Sequence, residues 1–291
     1  MANSRKLPGF ENLKRSIEGE LHDDGFTCGR YSTDASIYQM MPYGVVVPKT
    51  NDDIKAAISF CKDQGMALLP RGGGTSQCGQ TVNNALVLDN TKYLNSILEL
   101  DVKNQRCVVE PGIVLDELNR QLKPHGLWFP VDVSTSSRAT IGGMTANNSC
   151  GGRSIRYGIM RDNVHAIDAF LADGSHAHFG AYDPTKLPPS GRLGKVLPDL
   201  LRLGATHKDD ILSSFPKVLR RVGGYNIDAL IPDAMALRPQ GRPGDGINLA
   251  HLLVGSEGTL AYSTAISLKL SPLPARKVMG LCHFPTFYKA M

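Results

Sequence analysis

The residues Pro70-Arg71-Gly72-Gly73-Gly74-Thr75-Ser76-Gln77-Cys78-Gly79-Gln80-Thr81 carry the most explicit chemistry in the sequence. Three successive glycines bare their backbone N–H groups and tolerate φ > 0, so such a loop can wrap an anion that larger side chains would hold off. Arg71 adds a fixed positive charge, and Thr75 and Ser76 add hydroxyl donors. The guest that suits these groups is a diphosphate. From Gly74 the spacing nearly matches a P-loop, but Gln80 stands where the lysine that reaches the outer phosphates belongs, which argues against an NTPase. A Gly-x-Gly-x-x-Gly dinucleotide fingerprint fails at Gln77, and no apolar helical period follows before the next strand. A plain surface turn stays open as the reading of this loop taken alone.

Two later stretches have related character. From Pro130 to Gly158 the chain is dominated by small and polar residues, including Thr140-Ile141-Gly142-Gly143, Ala146-Asn147 and Cys150-Gly151-Gly152. Such a segment builds a poor core and a good cradle, because its backbone can approach a flat polar ligand closely; the alternative is a long linker. Further on, Leu252-Leu253-Val254 is expected to be a strand entering the turn Gly255-Ser256-Glu257-Gly258. There Glu257 is placed to bond a ribityl or ribose hydroxyl, or is simply a turn carboxylate. His176 and His178 share one face of an expected strand but have no third ligand nearby, so they read as exposed strand residues and no metal site is assigned.

The elements that must position these residues are legible from spacing. Phe10, Leu13, Ile17 and Leu21 predict an amphipathic helix over 10–21. Val45-Val46-Val47, Met66 to Leu69 and Leu86 to Asp89 predict strands. Thr50 with Asp53 marks a capping box before the helix carrying Ile54, Ala57, Ile58 and Cys61. Strand, helix and strand form a small βαβ lobe whose second strand delivers the glycine loop at its carboxyl end. Beyond Asn95 the pattern changes to an antiparallel hairpin, Ile97 to Val102 with Arg106 to Val109, then a short helix with Leu115, Leu118 and Leu122. Strands at Ala166 to Leu171, His176 to Phe179 and Ser267 to Leu270 follow, with 183–210 read as loops around a short helix. This order excludes an all-parallel doubly wound sheet and predicts an α+β fold.

Composition bounds the possibilities. Hydrophobic content of 42% and charged content of 20% over 291 residues are those of a globular chain. No apolar run has the length of a membrane span, and the amino terminus lacks a signal core, so the expected location is cytoplasmic. The charge of +5 is spread out, and aromatic residues are not interleaved with basic runs, so a nucleic-acid partner is not expected. Six cysteines without a Cys-x-x-Cys pair argue against a zinc ribbon or an iron–sulfur cluster in this segment.

The three glycine-rich stretches and their order resemble the FAD-binding domain of the vanillyl-alcohol oxidase/PCMH superfamily, in particular the branch of D-lactate, D-2-hydroxyglutarate and glycolate dehydrogenases. The resemblance covers about residues 38–273 and rests on Pro70 to Thr75, Glu110-Pro111-Gly112, Ala139 to Gly143, Tyr157-Gly158, Asp162-Asn163-Val164, Leu171 to Gly174 and Gly255 to Leu260. It implies a two-lobed fold: a helical extension over 1–37, a βαβ lobe over about 38–95, a larger mixed-sheet lobe over about 96–273, and the start of a substrate or cap domain at 274–291. By the same analogy Arg71, Gly72, Gly73, Gly74, Thr75 and Ser76 hold the pyrophosphate. Thr140, Ile141, Gly142, Gly143, Ala146 and Asn147 lie along the pyrophosphate and flavin, Gly151 and Gly152 let the backbone approach, and Val164 or its neighbours meet the adenosine end. Members that bind flavin covalently use a histidine near Thr75, so threonine there implies non-covalent FAD. The implied activity is oxidation of a D-2-hydroxy acid, a small-molecule substrate, by hydride transfer to flavin N5, with an electron acceptor that is not specified. A non-catalytic FAD-binding subunit of a larger dehydrogenase complex is the alternative. In the family the catalytic residues follow the FAD domain, so His22, His125, His165 and His251 are given no catalytic role.

Overall fold

Gly19 divides the N-terminal segment into two elements. In the computed structural model, which describes residues 9–183, 185–186, 188–231, 246–276 and 278–291, helix α1 (Phe10–Ser16) is followed by strand β1 (Glu20–His22). The single helix expected over 10–21 is therefore a helix and a strand. The reason is local: a Cβ on Gly19 would lie 2.3 Å from the Val47 carbonyl oxygen, so the chain runs against its neighbour there and cannot keep coiling. Ile17 and Leu21 still face one core, reached from two elements rather than one helix face. Residues 1–8 of the expected extension lie outside the described residues.

The small lobe continues with α2 (Gly25–Tyr31), capped by Asp24, then β2 (Gly44–Val47) and α3 (Asn51–Asp63). The capping box predicted from Thr50 and Asp53 is present, and Asp53 does more than cap. Its carboxylate is buried and also accepts from the backbone N–H groups of Glu18, Gly19 and Lys49 at 2.8, 3.0 and 2.8 Å, tying α3 to the start of β1 and the end of β2. Strand β3 (Leu68–Arg71) sits two residues later than expected, so Arg71 ends the strand instead of opening the loop. With β4 (Leu86–Asp89) the sheet order is β1-β2-β4-β3; β2 and β3 both run parallel to β4, and β1 is antiparallel to β2. β2 and β4 are buried on both faces, as uninterrupted valine and leucine runs require.

The large lobe opens with the predicted hairpin, β5 (Ile97–Asp101) and β6 (Arg106–Val109), and with α4 (Leu115–Leu122), whose Leu115, Leu118 and Leu122 are buried. A short 3₁₀ turn leads to β7 (Leu127–Trp128). The small-residue stretch is not loop throughout: it contains α5 (Ile141–Asn147) and α6 (Ser154–Tyr157). Next come β8 (Val164–Phe170), β9 (His176–Phe179), α7 (Gly191–Thr206), α8 (Lys208–Ser214), α9 (Ala250–Leu253), β10 (Tyr262–Lys269) and β11 (Ser271–Pro272), with α10 (Phe287–Ala290) near the carboxyl end. Where loops around a short helix were expected, α7 runs for 16 residues with Pro198 inside it and Leu193, Leu197 and Gly204 buried. Leu252 and Leu253 belong to a helix, not to a strand; all four residues of α9 are buried, so no period distinguished the two. The large sheet has the order β5-β6-β10-β8-β9 and is antiparallel throughout, so the mixing of strand directions lies in the small lobe. His176 and His178 stand on the outer face of β9, where both ring systems approach Asp168, at 3.5 and 2.9 Å.

The lobes share a seam. Phe170 at the end of β8 and Tyr262 at the start of β10 are buried in the core of the small lobe. The Tyr262 hydroxyl donates to Asn90 Oδ1 at 2.5 Å, and the Gly112 N–H donates to the Leu94 carbonyl at 2.8 Å. Replacing Asp53 by alanine strands several N–H groups among buried neighbours; we expect a loss of roughly 3 kcal/mol in urea unfolding, with the asparagine variant retaining part of it.

Candidate functional site

A cleft of 470 Å³ lies between the lobes. The glycine loop forms one wall, the start of α5 another, and the turn at Ser256–Gly258 closes it. Among the described residues, the backbone N–H groups of Gly72, Gly73, Gly74, Thr75 and Ser76 donate to no protein acceptor. Five consecutive donors without partners, next to a cleft, form an anion-binding concavity. The glycines are required twice over. A Cβ on Gly72 would lie 2.1 Å from Thr140 Oγ1 and one on Gly73 2.3 Å from the Arg138 carbonyl oxygen, while Gly74 turns the chain at φ 62°. The loop thus reaches the opposite lobe only because it has no side chains there, and that contact is what leaves its N–H groups bare.

Arg71 plays a different part from the expected one. Its side chain is buried and turns back beneath the loop, where Nη1 donates to the carbonyls of Tyr31 and Thr81 at 3.0 and 2.9 Å, and Nη2 to that of Thr33 at 2.7 Å. Burial pulls its pKa down, opposed by the nearby Asp34 and Asp89. The guanidinium is a strut that fixes the base of the loop, and its charge is matched by those carboxylates. Attraction for an anion in the cleft therefore rests on N–H dipoles and hydroxyls more than on a free cation.

On the other wall Thr140 caps α5 by accepting from the Gly143 N–H at 3.2 Å. The N–H groups of Ile141 and Gly142 donate to the carbonyls of Ile113 and Pro111, both at 2.8 Å, so this helix start is tied to protein. Thr140, Gly142, Gly143, Ala146 and Asn147 line the cleft. Ile141 is fully buried in the large-lobe core and Val164 is buried there too; neither lines the cleft. Gly151 and Gly152 also lie outside the lining, and glycine at 151 answers to Asp132, whose carbonyl oxygen would be 2.1 Å from a Cβ. Cys150 does line the cleft.

Glu257 lies at the junction of both walls. It has φ 52°, in the left-handed region that disfavours a side chain, between two glycines that also have positive φ. Its carboxylate accepts from Asn147 Nδ2 at 3.0 Å, and Gln80, whose Oε1 accepts from Ser76 Oγ, lines the same cleft. Burial pushes its pKa up from the ordinary carboxylate value, and the hydrogen bond from Asn147 only partly offsets this.

One buried cluster escaped sequence reasoning. Arg161 is fully buried and makes a bidentate pair with Asp228 at 2.9 Å, while its Nη1 also donates to Asn226 at 2.7 Å. Arg221 donates to the same Asp228 at 2.7 Å. Burial would raise the Asp228 pKa, but the two arginines hold it below the ordinary value. Asn226 in turn donates to the Val254 carbonyl at 2.7 Å. The cluster fastens residues 221–228 against α9 and so sets the wall at Val222, which lines the cleft. Arg161 is 65 and 67 positions from Asn226 and Asp228, and the cluster belongs to no motif; only the quoted neighbours Asp162-Asn163 pointed near it.

The unspent N–H row, the hydroxyls and the close backbone packing fit the diphosphate of the dinucleotide that the sequence resemblance implies. We expect Gly73→Ala to weaken dinucleotide binding by at least about tenfold in an equilibrium titration, because the added methyl meets a backbone carbonyl that cannot move aside without parting the lobes. Arg71→Met should instead lower stability, by roughly 3 kcal/mol in urea unfolding, since three buried carbonyls lose their donors.

Comparison with known proteins gives the same answer. Residues 42–180 match a family described as "FAD binding domain". The chain is similar to the D-2-hydroxyglutarate dehydrogenases of Pseudomonas putida, at 34% identity over 100% of this chain, and of Escherichia coli, at 30% over 98%. It is also similar to glycolate oxidase subunit GlcD of Bacillus subtilis, at 31% over 90%. The chain spans 29% of the length of each of the first two and 44% of the third. Among solved structures, alkyldihydroxyacetonephosphate synthase superposes with a TM-score of 0.66 at 18% identity, covering 95% of this chain and 42% of that one. For 6-hydroxy-D-nicotine oxidase from Arthrobacter nicotinovorans the TM-score is 0.57 at 16% identity, covering 88% and 43%. Residues 42–180 thus match an FAD-binding domain family, and the chain has the two-lobed α+β fold of PCMH-type FAD-binding proteins.

Proposed function

We propose that this chain is the FAD-binding portion of an FAD-linked dehydrogenase that oxidises a D-2-hydroxy acid such as D-lactate, D-2-hydroxyglutarate or glycolate. The observation that carries the reading is the row of bare N–H groups at Gly72–Ser76, set in an inter-lobe cleft within the stretch that matches the FAD-binding family. The choice of a 2-hydroxy acid rests on relatives named for D-2-hydroxyglutarate and glycolate at 30–34% identity along nearly the whole chain. When bound, FAD would supply the hydride acceptor.

The chain's own residues bind and orient. Gly72 to Ser76 hold the diphosphate by backbone dipoles, and Thr140, Gly142, Gly143 and Ala146 form the opposite wall. Among the described residues no histidine lines the cleft, and Arg71 is committed to carbonyls. On this reading a base for the hydroxyl proton and a cation for the substrate carboxylate come from residues outside this cleft. Leu281 and Phe284 in the 274–291 stretch are exposed. Thr75 at the loop supports non-covalent FAD. Among the described residues no helix is long and apolar enough to cross a membrane.

Two measurements check this. Protein reconstituted with FAD and precipitated with acid should release all of its flavin to the supernatant; retention in the pellet would overturn non-covalent binding. A panel of D- and L-2-hydroxy acids, assayed with an artificial electron acceptor on the protein in its full natural length, should show reduction with the D series and with glycolate but not with L acids. Bound FAD with no turnover of any 2-hydroxy acid would favour an electron-carrying subunit instead.

A further inference from the structure

Val222, Gly223, Gly224 and Tyr225 form a short finger on a clamped base. The residues on either side of it, Arg221 and Asn226, are joined: Arg221 Nη2 donates to Asn226 Oδ1 at 3.2 Å and to Asp228 Oδ2 at 2.7 Å. Asn226 is buried and donates to the Val254 carbonyl, while the Arg221 carbonyl accepts from Asn148 Nδ2 at 3.5 Å, at the end of α5. The finger itself is held differently. Among the described residues, no backbone N–H or carbonyl from Val222 to Tyr225 has a hydrogen-bond partner in the protein. A Cβ on Gly223 or Gly224 would meet nothing within 4 Å, and Gly224 has φ 78°. Unlike Gly72 and Gly73, these two are not glycines because something presses on them. What they supply is freedom of the backbone.

The finger lies against the cleft. Val222 lines it, and Tyr225, 48% exposed and outside the lining, is fastened by its hydroxyl to Thr259 Oγ1 at 2.7 Å, beside the turn Ser256–Gly258 that closes the cleft. Thr259 Oγ1 gives its own proton to the Ser256 carbonyl at 2.6 Å, so Tyr225 is the donor in this pair. A single neutral hydrogen bond therefore tethers the tip, whereas the base is held by charge-assisted bonds of about twice the strength. A segment with unpaired backbone, exposed glycines and one tether opens locally at far lower cost than the buried cluster beneath it. We infer that Val222–Tyr225 is a gate on the inter-lobe cleft. With Tyr225 on Thr259 the finger stands against the cleft; when that bond breaks, the glycine pair lets the tip swing outward on its fixed base, and the dinucleotide enters or leaves. The inference rests on the FAD reading of the cleft and adds to it a residue, Tyr225, that sets the rate of cofactor exchange without lining the site.

A tether that holds a gate shut slows entry and exit alike, which separates it from a residue that binds the ligand. Tyr225→Phe keeps the ring and deletes the donor. In stopped-flow flavin fluorescence, the association and dissociation rate constants for FAD should both rise by about three- to tenfold, the range that corresponds to losing one neutral hydrogen bond, while Kd changes by less than about twofold. Thr259→Val removes the acceptor from the other side and should accelerate both rates in the same way. Thr259→Ser retains the hydroxyl and should give wild-type rates. In the Tyr225→Phe/Thr259→Val double variant the rates should match those of Tyr225→Phe alone, since both changes delete one bond. Wild-type rates in the two single variants, effects that multiply in the double variant, or a loss of affinity carried by dissociation alone would overturn the gate and leave the cofactor reading intact. Wild-type protein that binds no FAD would overturn both.

Discussion

The two lobes approach so closely that at several points only a chain without side chains fits. A Cβ on Gly72 or Gly73 would collide with Thr140 or Arg138 across the cleft, and one on Gly112 would lie 2.0 Å from the Asn90 carbonyl oxygen at the seam. Interiors at this density transmit displacement instead of absorbing it. The position of the glycine loop relative to α5 is therefore set by backbone contact, supported by Tyr262 on Asn90 and by Phe170 in the core of the small lobe. The cleft is the space that this contact leaves beside it. Its width, and the outward facing of its N–H groups, are consequences of packing more than of the loop's own preference.

Charge in the cleft follows from the same geometry. A loop pressed against another lobe has no room for a long cationic side chain in front, so Arg71 lies behind it and stiffens it. Each of its bonds to a carbonyl is a charge-assisted contact of the stronger class, in a place where an unmet carbonyl would be costly. The anion is left to oriented dipoles, which need no reorganisation when the ligand arrives. The Arg161–Asp228–Arg221 cluster works the same way on the far wall: a buried charge with a bidentate partner admits few arrangements, so the 221–228 segment has a defined place beside the cleft.

Much of this was legible in the sequence where the signal is local. The capping box at Thr50 and Asp53, strand Leu86–Asp89, the hairpin at 97–109 and the leucine face of α4 are short-range patterns whose physics is complete within a dozen residues. Reading failed where two arrangements satisfy one pattern. Leu21 at helical spacing from Leu13 reaches the core equally well from a strand, and only the neighbouring Val47 backbone decides. Ala250–Leu253 is apolar on every side, so periodicity has nothing to measure, and α7 accommodates Pro198 because packing of Leu193 and Leu197 outweighs local preference.

At the site, residue types and order alone pointed to a diphosphate cradle: bare glycines, hydroxyls, the missing P-loop lysine, and two further small-residue stretches. These follow from what a backbone without side chains can do, which is a property of the sequence itself. The assignment of work within the cradle came only with tertiary structure. It turned Arg71 from ligand-facing cation into strut, moved Ile141 and Val164 into the core, gave Gly151 to Asp132, and joined Glu257 to Asn147 across 110 positions of chain. Whether a donor faces a ligand or a carbonyl depends on which distant segment reaches it first, and no spacing along the chain records that.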